Sequence, residues 1–360
     1  MWKHRMRDYS GRRVNLFGPG LSPSNRGASA FTAAYYLAIA HTTTPFLSAY
    51  QSNASGFGSR LTDPATLPTG NGSGVAFSPS GAHLVVAHTT TPFVTAYPFT
   101  AGSIGTKLAD PAALAAGNGN GVAFSPDGAH VAVAHTTTPF VAAWPFAAGF
   151  GTKHADPATP PASTGQGVAF SPDGAYVAVA HITTPFVSVY PWSGAGFGAK
   201  VTDPLVLPAG NGRGVAWSPD GLFLAVAHDI TPFVSVYAWA AGFGAKVSDP
   251  VSLPAGGNGN GVAFSAAGDY LALASGTTPF ITVYPWSVVG FGAKLSDPAT
   301  VPTGIGRGVA WSADGAFLSV AHVTTPFDST YPFAAGYGSK VANPATLPAG
   351  NGIGVAWRSA

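Results

Sequence analysis

Residues 121–146 read GVAFSPDGAHVAVAHTTTPFVAAWPF. "GVAF" is a short apolar run that ends at "SPDG", turn chemistry suited to a tight hairpin. "AHVAVAH" resumes as a second strand, "TTTP" breaks it, and "FVAAWPF" makes a third strand rich in aromatic and β-branched residues. Gly-rich "AAGFG" at 147–151 stops that strand. The Pro-interrupted "TKHADPATPPAS" at 152–163 is expected as a fourth, edge strand, because Pro is tolerated in sheets mainly at edges.

This unit is repeated along the chain. "GVAFSP" or a close variant begins at Gly74, Gly121, Gly167, Gly214, Gly261 and Gly308, with a last copy "GVAW" at Gly354, in steps of 46 or 47 residues. "HTTTPF" or its variant begins at His41, His88, His135, His181, His228, Ser275 and His322 in the same rhythm. Seven tandem units of about four strands, apolar on both faces, are best buried by radial packing, which predicts an all-β, seven-bladed β-propeller. A parallel β-solenoid is the alternative, although its coils are usually shorter.

The ends carry a further expectation. "GASAFTAA" at 27–34 stands where a first "GVAFSPDG" belongs but lacks the turn, whereas "GVAWRSA" at 354–360 is an innermost strand with no unit after it. The C-terminal strand is therefore expected to close the first blade beside "YYLAIAH" at 35–41, removing open sheet edges. The expected domains are an N-terminal extension at 1–34 and the propeller at 35–360.

Composition narrows the function. Charged residues are 8% of the chain and every acid is Asp, so acid–base chemistry has few candidates. There is no cysteine, hence no disulfide and no thiolate metal site. No apolar run is long enough to span a membrane, and the basic N-terminus lacks the apolar core of a secretory signal. Residues 1–26 hold six Lys/Arg against one Asp (6 − 1 = +5), while the rest holds ten against thirteen (10 − 13 = −3). Trp2, Lys3, Arg5, Arg7, Arg12 and Arg13 in this segment suit docking on an acidic partner surface. A nucleic-acid partner is not expected.

The six repeated histidines invite a metal, but stacked blades lie about 10 Å apart and Zn–N bonds are about 2 Å, so equivalent histidines cannot share an ion. They read instead as imidazoles that satisfy nearby turns. Neither a metal nor a cofactor is expected. The Lys/Arg that opens each fourth segment, with Asp three positions on or Asn343 in the last unit, reads as a solvated rim. Function in repeat folds sits where the repeat breaks. The residue before each innermost "GVA" varies, giving Asn120, Gln166, Arg213, Asn260 and Arg307 at the expected channel mouth on the histidine face. With Asp229 and Ser275, which also depart from the repeat, these are the candidate ligand face. Two Arg with Asn and Gln suit an anionic or polyhydroxylated ligand.

"VAFSPDG", the "LAVAH"-type strand and the aromatic strand together resemble WD-repeat and YVTN-like β-propellers over residues 35–360, although the His and Trp-Asp signatures of true WD repeats are missing. Near-identical units such as "VAFSPDGAHVAVAHTTTPFV" also resemble repeats of tailed-bacteriophage virion proteins. That resemblance implies a non-enzymatic virion component on a tail, neck or head, held to other virion proteins by its N-terminal arm. A glycan- or receptor-binding propeller is the alternative. A lactonase- or lyase-type enzyme stands third, because no acid, base and nucleophile converge in the sequence. Outside a virion, the lack of a signal peptide implies the cytoplasm.

Overall fold

The computed structural model describes residues 35–359 apart from 54 and 101, with the side chain of Ser359 also outside the description. The expected N-terminal arm, including Trp2, Lys3, Arg5, Arg7, Arg12 and Arg13, lies outside the described residues. The remainder is all-β: seven antiparallel sheets follow one another along the chain as the blades of a propeller. In the fourth blade the order from axis to rim is Gly165–Phe170, Tyr176–His181, Val187–Ser193 and Gly196–Phe197.

The first blade is completed from the far end of the chain. Gly352–Ser359 pairs antiparallel with Tyr35–His41, placing Val355 opposite Ile39 and Trp357 opposite Leu37. The sheet continues with Leu47–Asn53 and Gly56–Arg60. The expected closure is present.

The fourth strand differs from expectation. It is built from the Gly-aromatic residues that were read as a stop, such as Gly196–Phe197 and Gly290–Phe291, and shrinks to a single bridge, Phe146 with Phe150 and Phe333 with Tyr337, in the third and seventh blades. The Pro-interrupted segment follows it without a ladder. Its main tie to the third strand is one backbone bond per blade, for example Val201 N–H to the Val189 carbonyl at 2.8 Å. Repeated prolines remove the donors that a longer ladder would need.

Blades pack large against small. The alternating "VAVAH" strand shows Ala to one neighbour and Val or Leu to the other. Thus Ala132, Ala134 and Ala143 of the third blade meet Val177, Val179, Tyr190 and Trp192 of the fourth. The second strands are buried on both faces, which is why they read as unbroken apolar runs.

Two glycine positions set the geometry. A Cβ on Gly121 would lie 2.9 Å from the Gln166 carbonyl and 3.1 Å from the Gly167 Cα, and one on Gly354 would lie 3.0 Å from the Gly74 Cα. The same contact recurs at Gly74, Gly167, Gly214, Gly261 and Gly308, so each innermost strand meets the next backbone to backbone around the whole ring. Two residues earlier, a Cβ on Gly72 would lie 2.3 Å from the Phe46 carbonyl of the preceding blade. That phenylalanine closes the "HTTTPF" turn. The seven Thr–Pro bonds are cis, and the following Phe has φ between 64° and 72°.

In five blades a side chain ties the blade to the crossover from its predecessor. Tyr190 Oη donates to the Thr159 carbonyl at 2.8 Å, and Tyr97, Tyr284, Tyr331 and the indole N–H of Trp144 make the equivalent bond. The buried hydroxyl of Tyr237 has no partner. Tyr190→Phe is therefore expected to cost about 0.5–1.5 kcal/mol in urea unfolding, whereas Tyr237→Phe, which deletes an unpaired buried hydroxyl, should be neutral or stabilising.

Candidate functional site

The turn that follows a second strand meets the loop that leads into an innermost strand. Thr89 N–H donates to the Asn71 carbonyl, and Thr69 Oγ1 to the Thr91 carbonyl at 2.7 Å, joining the "TTTP" turn to the "LPTGNG" loop. The histidines themselves lie inside the blades. His41, His88, His135, His181, His228 and His322 are fully buried, and five of them hydrogen-bond a hydroxyl seven residues on, as His181 Nε2 does with Ser188 Oγ at 3.0 Å. Two blades break the pair: His135 faces Ala142, leaving Nε2 unpaired, and Ser275 replaces histidine opposite an unpaired Thr282.

Burial pushes each of these imidazoles down to about 4, and the nearby Lys or Arg of the rim adds to this in five of the blades and in the seventh. The rim cations pair with the Asp three residues on, as in Lys200–Asp203 and Arg60–Asp63, but the lysine side chains are largely buried rather than solvated. Among the described residues no three His, Cys, Asp or Glu side chains converge as a metal cage. The aromatic stripe is packing: Trp192 and Trp286 are buried, each edge-on to a neighbouring phenylalanine.

The departures from the repeat do gather at the axis. Ser73, Asn120, Gln166, Arg213, Asn260, Arg307 and Ile353 ring the mouth of a cavity of about 320 Å³ whose deeper walls are the glycine ring and a ring of valines. Asn120 and Asn260 donate their amides to the Gly165 and Gly306 carbonyls of the next blade, at 2.8 and 2.7 Å, so they brace the mouth. Asp229 accepts from Asn211 N–H and Nδ2, both at 2.9 Å, and from Arg213 at 3.0 Å. It fixes the Arg213 guanidinium at the rim of the cavity.

Arg307 is different. It reaches solvent at the mouth and has neither a hydrogen-bond nor an ion-pair partner among the described residues. Partial desolvation lowers its pKa, and repulsion from Arg213 lowers it further. A second cation therefore shares the mouth with one that Asp229 has already neutralised, over a ring of hydroxyl and amide groups. Ser275 does not join them: it is buried and its hydroxyl bonds the Thr277 carbonyl of its own turn. Sequence reasoning passed over Asn211, which belongs to the repeated "GNG" and gains a role only because Asp229 stands opposite it.

No protein-family model and no curated protein matches the chain. Solved structures do. A protein of Lactobacillus plantarum superimposes with a TM-score of 0.70 at 16% identity, over 91% of this chain and 100% of its own. A Bacteroides fragilis protein provisionally named a 6-phosphogluconolactonase gives 0.72 at 14% identity, over 92% and 99%. The periplasmic gluconolactonase of Pseudomonas aeruginosa gives 0.68 at 19% identity, over 91% and 99%. At such identities the likeness establishes the propeller fold. It also corrects two expectations, that the chain is a non-enzymatic virion component and that it is no enzyme. Propellers named as lactonases match it over nine-tenths of its length, and neither the WD-repeat nor the virion resemblance finds support.

The buried histidines make stability pH-dependent. Their folded pKa of about 4 lies below the ordinary 6.5, so their contribution is complete above pH 6.5 and is lost as pH falls through 4. Asp328, raised to about 7 by burial, acts in the opposite sense, losing stability as pH rises through 7. Six histidines outweigh one aspartate. Urea unfolding is expected to show a lower free energy at about pH 5 than at about pH 7, with a slope of about 1.4 kcal/mol per pH unit for each proton taken up. His181→Asn should remove one proton from that uptake. Ala142→Ser, which gives His135 the hydroxyl its counterparts have, should add about 0.5–1.5 kcal/mol.

Proposed function

We propose that this propeller is an enzyme that binds an anionic, polyhydroxylated sugar derivative at the channel mouth and hydrolyses its lactone. The observation that carries the reading is Arg307, an unpartnered guanidinium at the same cavity mouth as Arg213, two blades away. The two cations repel each other across the mouth, and an anionic ligand relieves that repulsion while making charge-assisted hydrogen bonds. The mouth supplies Ser73 and Gln166 for ligand hydroxyls. The lactone half of the reading is supported by the likeness to propellers named as gluconolactonase and, provisionally, 6-phosphogluconolactonase.

Asp229 is the only carboxylate among the described residues that contacts a channel-mouth side chain. Three donors hold it in place, and it is the residue assigned to take a proton from the attacking water. Water adds to the lactone carbonyl, and Arg213 stabilises the oxyanion that forms. The ring C–O bond then breaks, its oxygen leaves with a proton as a hydroxyl, and the acyl carbon becomes a carboxylate with release of one proton. Arg307 holds the anionic group of the substrate.

A pH-stat assay with 6-phosphogluconolactone and gluconolactone tests this directly. The protein is expected to hydrolyse at least one of them above the spontaneous rate. Arg307→Ala should raise KM about tenfold or more for the phosphorylated lactone and leave the uncharged one nearly unchanged, as for loss of a charged hydrogen bond. Asp229→Asn should lower kcat by about a hundredfold with less effect on KM. Spontaneous rates with both lactones would overturn the hydrolase reading.

A further inference from the structure

A second break in the repeat lies away from the channel mouth, by the "SPDG" hairpins where the third and fourth blades meet. A pocket of about 370 Å³ there is lined by Asp127 and His130 of the third blade and by Asp173 and Trp192 of the fourth. His154, from the segment that leaves the third blade, reaches the same place. Its Nε2 and His130 Nδ1 share a hydrogen bond of 3.1 Å.

His154 is out of pattern. At the position where its backbone N–H bonds the third strand, the other blades carry Leu61, Leu108, Val201, Val247, Leu295 and Val341, all apolar. The partner position also varies: His130 stands where the fourth to seventh blades carry Tyr176, Phe223, Tyr270 and Phe317, and His83 in the second blade packs against Phe146 instead of a second histidine. Only at this one junction, among the described residues, do two imidazoles meet nitrogen to nitrogen.

The separation suits a shared ligand. Two imidazole nitrogens bound to one tetrahedral zinc at 2.0–2.1 Å are held about 3.3 Å apart. Trp192 lies edge-on to both rings, with centroids 5.3 Å from His130 and 5.1 Å from His154, and limits their rotation. Asp127 and Asp173 each give one carboxylate oxygen to their own hairpin, through Ser125 and Ala129 or Ser171 and Ala175, and keep the other free of hydrogen bonds. Those hydrogen bonds lower both carboxyl pKa values, so the pocket is anionic at neutral pH.

We propose that His130 and His154 together bind a borderline transition-metal dication of the zinc class, with water in the remaining positions and Asp127 and Asp173 balancing its charge from outside the coordination shell. The site uses none of the channel-mouth residues and does not depend on the lactonase reading. Binding replaces the hydrogen bond between the rings: each imidazole gives the metal the lone pair of one ring nitrogen and keeps its proton on the other.

The test is a calorimetric titration of the tag-free, metal-stripped full chain with Zn²⁺ at about pH 7.5, where imidazole is neutral. One saturable equivalent is expected. His154→Leu and His130→Tyr, each of which installs a residue that other blades carry, should weaken it about tenfold or more while leaving the thermal transition in place. In the unmodified chain, Zn²⁺ should shift the ring resonances of His130 and His154 and leave those of the six buried histidines unmoved. No saturable uptake, uptake of unchanged affinity in both variants, or unmoved His130 and His154 resonances would each overturn the proposal. The resonance shifts decide the matter even if a variant fails to fold.

Discussion

The whole ring rests on seven places where backbone touches backbone. Gly74, Gly121, Gly167, Gly214, Gly261, Gly308 and Gly354 have no room for a Cβ, because the next innermost strand occupies that space. This fixes how closely the blades converge at the axis, and the alternation of alanine with valine or leucine farther out follows from it. Blades that meet without side chains at the centre must splay towards the rim, where Val, Tyr and Trp fill the widening gap. Removing side chains at the axis also leaves a cavity there. The residues immediately before the glycines, held at its mouth by a rigid ring, are the ones free to vary.

That division explains why the proposed site lies at the channel mouth and not at the six repeated histidines. A histidine inside a blade is repeated because each blade needs its turn satisfied, and burial keeps it neutral. Arg213 and Arg307 are not repeated and would be costly if they were: seven guanidinium groups around one axis could not all find counter-charges. Asp229 neutralises one of the two, so among the described residues the mouth keeps one uncompensated cation.

Much of the fold was legible because the repeat sets strand count, turn chemistry and closure together. A period of 46 or 47 residues fixed the blades, and the spare "GVAW" after Gly354 pointed to the seam at Tyr35–His41. The outer strand was misplaced for a physical reason. It is as short as two residues, such as Gly196–Phe197, and Gly beside Phe reads as a break, whereas the longer Pro-bearing segment looks more like a strand than its single backbone bond allows. At the mouth, the variable residues could be named from the sequence, but not the bracing of Asn120 and Asn260 or the isolation of Arg307. Those depend on which carbonyls and carboxylates the neighbouring blade presents. His130 and His154 escaped notice because they are 24 residues apart in unlike segments. Scarce acids and repeat texture suggest scaffolding, whereas the likeness to lactonase-named propellers lies in backbone geometry at 14–19% identity and leaves no signature in the sequence.

The seam has a further consequence. Gly352–Ser359 closes the first blade, yet its "GVAW" is nearly interchangeable with the innermost strands of the other blades and with the same strand in a neighbouring molecule. What selects the correct partner is the tether: a strand on the same chain is present at a high effective concentration, and free copies in dilute solution are not. Connectivity, rather than a distinctive surface, thus selects the strand that closes the ring. That advantage is one of concentration, so it narrows as the protein itself is concentrated.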